Sequence, residues 1–102
     1  MLLKDISFVI PVFNRPNEID ELLNSFCLQK ESKDFEIVII EDGSSNKCDK
    51  IIKNYKNLNI SYYYKDNSGP GDSRNFGMNK AKGSYFIILD SDIILPENYC
   101  TI

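Results

Sequence analysis

Apolar positions along this chain follow two alternating periods. The segments from Ile6 to Val12, Phe35 to Ile40, Ile60 to Tyr64 and Tyr85 to Leu89 are short and rich in β-branched and aromatic residues. That is the length and composition of strands. Ile37-Val38-Ile39-Ile40 and Tyr85-Phe86-Ile87-Ile88-Leu89 show no polar alternation, as expected of strands covered on both faces. Between the runs, apolar residues recur at helical spacing. Ile19, Leu22, Leu23, Phe26 and Cys27 stand at i, i+3, i+4, i+7 and i+8, and Cys48, Ile51, Ile52 and Tyr55 repeat the pattern. Residues 71–82 form a weaker helical pattern that ends at Gly83, a C-cap candidate. Pro16 suits a first helical turn, and Glu18, Asp20 and Glu21 load the positive end of the dipole. Ser44, Ser45 and Asn46 offer N-caps for the second helix. The predicted order is β-α-β-α-β-α-β, with strands roughly 25–30 residues apart, the size of a βαβ unit. Such alternation predicts an α/β fold: an open parallel sheet of about four strands, helices on both faces and right-handed crossovers.

Composition narrows the class. A chain of 102 residues holds one core, and no repeat or linker divides it, so 1–102 is read as one unit. A hydrophobic share of 42% is too high for a disordered chain. The net charge of -3 argues against nonspecific nucleic-acid binding, which rests on clustered cations. The longest apolar runs fall far short of the ~20 residues of a membrane helix. Lys4-Asp5 follows Met1-Leu2-Leu3 at once, so no signal-peptide core is visible. The absence of histidine removes His-based triads and His-ligated metals. A metal here is held by oxygens, which favours Mg²⁺, Mn²⁺ or Ca²⁺ over zinc. Cys27, Cys48 and Cys100 are odd in number and form no C-x-x-C pair. They are expected to be free thiols in a reducing cytoplasm.

Ligands of open parallel sheets bind beyond the carboxyl ends of the strands. The four candidate ends are Pro11-Val12-Phe13-Asn14-Arg15-Pro16, Glu41-Asp42-Gly43-Ser44-Ser45, Asp66-Asn67-Ser68-Gly69-Pro70-Gly71 and Asp90-Ser91-Asp92. Three of them bring carboxylates to one sheet edge. Two carboxylates about 5 Å apart repel by roughly 3 kcal/mol at an effective dielectric near 20, so a cation or a set of donors must offset them. Asp90-x-Asp92 after an apolar strand suits a hard divalent cation, Mn²⁺ or Mg²⁺, that substrate phosphates complete. Asp42 can accept a hydrogen bond from a base N–H, and Phe13 can offer an apolar surface or join the core. The Gly-rich loop that opens the helix carrying Arg74 suits an anion. Arg74 is either a phosphate contact or half of a structural ion pair. Neither the dinucleotide fingerprint nor a P-loop is present.

Four segments, in order and at the right spacing, resemble the N-terminal half of a family 2 glycosyltransferase with the GT-A fold. These are Ser7 to Pro16, Glu41-Asp42-Gly43-Ser44-Ser45, Asn67-Ser68-Gly69 with Ser73-Arg74-Asn75-Phe76-Gly77, and Gly83 to Asp92 with its D-x-D motif. The resemblance implies that Pro11, Phe13, Asn14 and Asp42 hold the nucleoside of a nucleotide-diphospho-sugar, a UDP-sugar being favoured. It implies Arg74 near the base or diphosphate, Asp90 near the ribose and metal, and Asp92 on the metal. The implied reaction is inverting, metal-dependent sugar transfer to a sugar or lipid-linked acceptor in surface-polysaccharide synthesis; the Lys-, Asn- and Ile-rich composition points to a bacterial source. The implied place is the cytoplasm or the inner face of its membrane.

Two departures stand out. Ile93 follows Asp92 where many relatives carry another Asp. The acceptor site and general base of the family lie in a C-terminal half, expected beyond residue 102. The chain is thus expected to bind donor without turnover and, with an uncovered sheet edge, to self-associate. Two other readings fit the strand ends less well. A nucleotidyltransferase brings a Gly-rich basic signature near its N-terminus, where Pro11-Val12-Phe13-Asn14 stands. A noncatalytic receiver-like module with an acidic Mg²⁺ pocket wants an acidic pair after strand one and a phosphoacceptor Asp after strand three, a pattern that Asn14 and Asp66 fit poorly.

Overall fold

The computed structural model describes residues 5–29 and 35–91. Seven elements alternate in the predicted order: β1 (Ile6–Val12), α1 (Pro16–Cys27), β2 (Glu36–Asp42), α2 (Asp49–Ile52), β3 (Asn59–Lys65), α3 (Pro70–Lys80) and β4 (Tyr85–Ile88). All strands are parallel, in the order β3-β2-β1-β4. The chain first builds outward from β1 through β2 to β3. It then crosses back to lay β4 on the other side of β1. The strand order reverses between β1 and β4, which makes their carboxyl ends the expected ligand crevice.

Register explains which residues form the core. Phe8 stands opposite Ile37 and Ile87, and Ile10 opposite Ile39, so their side chains share one face. There α1 buries Ile19, Leu22, Leu23 and Phe26. The centre of this layer is aromatic. Phe8 lies edge-on to Phe26 and Phe35, with ring centroids 5.0 and 5.1 Å away. Such pairs add about 0.5–1.5 kcal/mol each beyond their area burial. Every residue of β2 is buried, as its unbroken apolar run predicts. At the edges, β3 is only partly covered, and β4 exposes Tyr85, Phe86 and Ile88.

The opposite face carries α3. Gly77 sets its height: an added Cβ would lie 2.4 Å from Val9 Cγ1 and 3.2 Å from Ile40 Cγ1. Only a glycine lets the helix backbone sit this close to β1 and β2. Glu36, buried at the amino end of the sheet on the same face, accepts hydrogen bonds from Ser7 Oγ at 2.7 Å and from the Lys82 N–H at 2.8 Å. Ser7 Oγ in turn accepts from the Gly83 N–H at 2.9 Å. This ties the α3–β4 connection to the sheet.

Four local expectations are corrected. The run from Tyr85 is not covered on both faces, because among the described residues β4 is an edge strand that pairs with β1 alone. The second helix is a single turn, and its N-cap is Cys48 with no side-chain cap. Ser44 and Ser45 do not cap it, because their hydroxyls bond to Glu41 and Asn14. The third helix ends at Lys80 with an extended Ala81, not at Gly83. Cys27 and Cys48 are free thiols, as expected. Cys100 and Asp92 lie outside the described residues.

Gly77→Ala should destabilise the fold by up to about 2 kcal/mol. Overpacking costs 1–3 kcal/mol and exceeds the ~1 kcal/mol that alanine gains in helix propensity. Urea unfolding followed by circular dichroism measures this. An unchanged or higher midpoint would show that α3 does not rest on the Gly77 contact.

Candidate functional site

A pocket of about 240 Å³ opens where the strand order reverses. Its lining is Pro11 of β1, Arg15 of the β1–α1 turn, Pro70 and Arg74 of the first turns of α3, and Asp90 and Ser91 after β4. Of the candidate residues, Pro11, Arg74 and Asp90 thus meet in one cavity. Phe13, Asn14 and Asp42 do not line it. Phe13 and Asn14 sit in the turn that follows β1, and Asp42 is the last residue of β2. Asp92 cannot be placed, since it lies outside the described residues.

Two carboxylates end β2, and each organises a different loop. Glu41, fully buried, points to the α1 face. Its Oε1 accepts from the Cys48 N–H at 2.9 Å, the Cys48 thiol at 3.2 Å and the Tyr62 hydroxyl at 2.9 Å. Its Oε2 accepts from Ser44 Oγ at 2.5 Å. Ser44 Oγ accepts in turn from the Asn14 N–H at 2.8 Å. Asn14 has φ 53° and uses Oδ1 to accept from the Asn46 N–H at 2.9 Å. A short polar side chain tolerates that conformation. The turn after β1 is thereby stapled to the turn after β2. Burial, and then the Glu41 charge, push the Cys48 thiol well above its ordinary range. Burial and the hydrogen bond to Glu41 do the same to Tyr62.

Asp42 faces the other way. Its Oδ1 accepts from Lys65 Nζ at 2.5 Å and the Ser68 N–H at 2.9 Å, and its Oδ2 accepts from the Gly69 N–H at 3.0 Å. Lys65 Nζ also donates to Ser68 Oγ. The Asn67 side-chain amide donates to the Asp42 carbonyl at 3.0 Å. The two turns touch so closely that only glycine fits at position 43: φ is 72°, and a Cβ would lie 2.6 Å from the Asn67 nitrogen. Burial raises the Asp42 pKa, but the hydrogen bonds from Lys65, Ser68 and Gly69, with the Lys65 charge, outweigh it and hold the carboxyl below its ordinary value. The loop so anchored leads directly into α3, whose N-cap Gly69 has φ 98° and receives no side-chain cap.

Arg74 is exposed, and no ion pair holds it: among the described residues Lys65–Asp42 is the one salt bridge. Phe13 is 51% exposed and so is not a core residue.

The family description "Glycosyl transferase family 2" matches residues 7–101. The chain belongs to glycosyl transferase family 2. Among relatives, an uncharacterized glycosyltransferase of Rickettsia bellii is 37% identical over 94 residues, covering 91% of this chain and 14% of that protein. Poly(ribitol-phosphate) beta-N-acetylglucosaminyltransferase TarS of Staphylococcus aureus is 34% identical over 90 residues, covering 84% of this chain and 16% of that protein. A crystal structure of S. aureus TarS in complex with UDP superposes with a TM-score of 0.87 at 31% identity, covering 95% of this chain and 30% of that one. A mannosyltransferase from Pyrobaculum calidifontis in complex with GDP-Man and Mn2+ shares the fold, with a TM-score of 0.80 at 19% identity, covering 90% of this chain and 28% of that one. The four-stranded parallel sheet is therefore a GT-A arrangement. This family 2 chain spans less than a fifth of the length of either curated relative.

Sequence reasoning gave no role to Arg15, Lys65 or the backbone N–H groups of Ser68 and Gly69. Lys65 meets Asp42 because β2 and β3 pair in that register, which local patterning does not contain. Arg15 did carry a signal, since a cation just before a helix is at the unfavourable end of its dipole.

The Asp42 anchor predicts a pH dependence. A carboxyl depressed in the folded state adds stability above its unfolded pKa, ~3.9, and that stability is lost as pH falls through the folded value. Wild type should therefore lose more stability than Asp42→Asn between pH 5 and pH 2 (about the range such groups titrate over). Parallel pH profiles of the thermal midpoint check this, and superimposable slopes would remove the anchor from the ledger.

Proposed function

We propose that this chain is the nucleotide-sugar-binding part of an inverting, metal-dependent glycosyltransferase, and that alone it binds donor without turning it over. The observation that carries the reading is the pocket at the β1/β4 switch. It joins two guanidiniums and a carboxylate at the sheet edge where ligands of this architecture bind. Membership in glycosyl transferase family 2 and the likeness to a UDP complex of TarS support it.

Each residue has a role that its surroundings allow. Pro11, Phe13 and Asn14, with Asp42, face the nucleoside. The Asp42 carboxylate already accepts three hydrogen bonds. An ionised carboxylate has about four acceptor sites, so one remains for a base N–H such as that of uracil. Arg74 approaches the diphosphate from the start of α3. Its planar fork suits two phosphate oxygens at once.

Asp90 lies in the same cavity, outside any salt bridge among the described residues. Its hard oxygens fit Mn²⁺ or Mg²⁺, and Asp92 is the second proposed ligand. Such a cation, when bound, neutralises charge on the departing nucleoside diphosphate. The protein's own share is orientation: donors fixed before the sugar leaves cost little reorganisation in the transition state. No residue of 1–102 is assigned as the general base, and the acceptor is assigned as a sugar or lipid-linked glycan. No described helix is long and apolar enough to cross a membrane. We place the reaction in the cytoplasm or at the inner membrane face, in surface-polysaccharide synthesis.

Calorimetry with UDP and Mn²⁺ tests the site. Asp90→Asn should weaken binding at least about tenfold, the loss expected for a contact to a charged group. Equal affinities would sink the metal assignment. Absence of any heat from wild type with UDP, GDP or CDP would sink donor binding itself.

A further inference from the structure

The pocket contains a second guanidinium besides that of Arg74. Arg15 reaches it from the β1–α1 turn, while Arg74 reaches it from α3. The helices α1 and α3 lie on opposite faces of the sheet, so the two guanidiniums come to the cavity from two sides. Among the described residues neither guanidinium makes an ion pair, although Asp90 lines the same cavity. Arg15 is also costly where it stands. It is the N-cap of α1, makes no side-chain cap hydrogen bond and lies at the positive end of the helix dipole. Ser, Thr, Asp or Asn would serve the helix better. A residue that breaks a local rule without a structural return is a candidate for function. Two like charges at one small cavity repel, and a ligand with more than one negative charge removes that cost.

We infer that Arg15 is a second diphosphate-binding residue, which with Arg74 forms a two-guanidinium clamp that retains a pyrophosphate group even without a divalent cation. The inference rests on the proposed donor-binding reading and sharpens its anion subsite. Each guanidinium offers a fork of N–H donors matched to phosphate oxygens. Two forks from two elements suit two linked phosphates better than one. Among the described lining residues two cations stand against a single carboxylate, which favours an anion there when no metal is bound. The clamp gives this chain a way to hold the nucleoside diphosphate while the cation exchanges.

The test is calorimetry in EDTA on wild type, Arg15→Gln and Arg15→Lys, with inorganic pyrophosphate, UDP and uridine as probes. Circular dichroism melts confirm that each variant is folded. Arg15→Gln should weaken pyrophosphate and UDP at least about tenfold, as expected for loss of a charge-assisted pair, and leave uridine unchanged. Arg15→Lys should recover part of the loss, because it restores the charge without the fork. Wild-type affinity for pyrophosphate in Arg15→Gln overturns the clamp, as does an equal loss for UDP and uridine, or no pyrophosphate binding by wild type in EDTA. If wild type binds pyrophosphate but not UDP, the clamp stands and the donor reading falls. If wild type binds UDP and Arg15→Gln binds it equally well, the donor reading stands and the clamp falls.

Discussion

A carboxylate at the end of a buried strand must find donors or give up its charge, and β2 ends on two of them. Glu41 and Asp42 are both buried, at 0% and 4% exposure, and point to opposite faces of the sheet. Unpaired, either would cost several kcal/mol. The chain meets the demand with what lies nearby in space: a hydroxyl, a thiol, a phenol and one N–H for Glu41, an ammonium and two N–H groups for Asp42. Those donors belong to β3 and to the connections that follow β2 and β3, and Ser44 in turn accepts from the Asn14 N–H of the connection after β1. Satisfying two charges therefore gathers three loops at the carboxyl edge. The site is a by-product of that gathering as much as of the sheet itself.

This arrangement makes the loops less free than loops usually are. Connections on a protein surface tend to be mobile and variable. Here backbone N–H groups of residues 68 and 69 are held by a carboxylate, and those of residues 14, 46 and 48 by side chains. The N-terminus of α3 is launched from a fixed point. An anion arriving there meets donors already aimed, which limits the ordering cost of binding.

Much of the architecture was legible in periodicity. The unbroken run of β2 announced a central strand, and the i, i+3, i+4 spacing from Ile19 announced α1 with its buried face. The order of strands was not legible, because pairing is decided by contacts far apart in the chain. The second helix was overestimated for a definite reason. Glu41 draws the Cys48 N–H and the Ser44 hydroxyl to itself, so the groups that would have started a longer helix are spent. The acidic turn and the Gly-rich loop did mark the right edge of the sheet. Their mutual contact was hidden, since Lys65 and Asp42 meet only through the β2–β3 register.

Gly77 has a reach beyond its own contact. It rests on Val9 and Ile40 one turn after Arg74, a distance of about 4.5 Å along the axis at 1.5 Å per residue. A helix lifted at that point pivots, and its first turn moves with it. The guanidinium over the pocket therefore inherits its position from a hydrogen atom in the core. Anion affinity and folding free energy are coupled through one missing methyl group, so changes in either should travel together along the α3 interface.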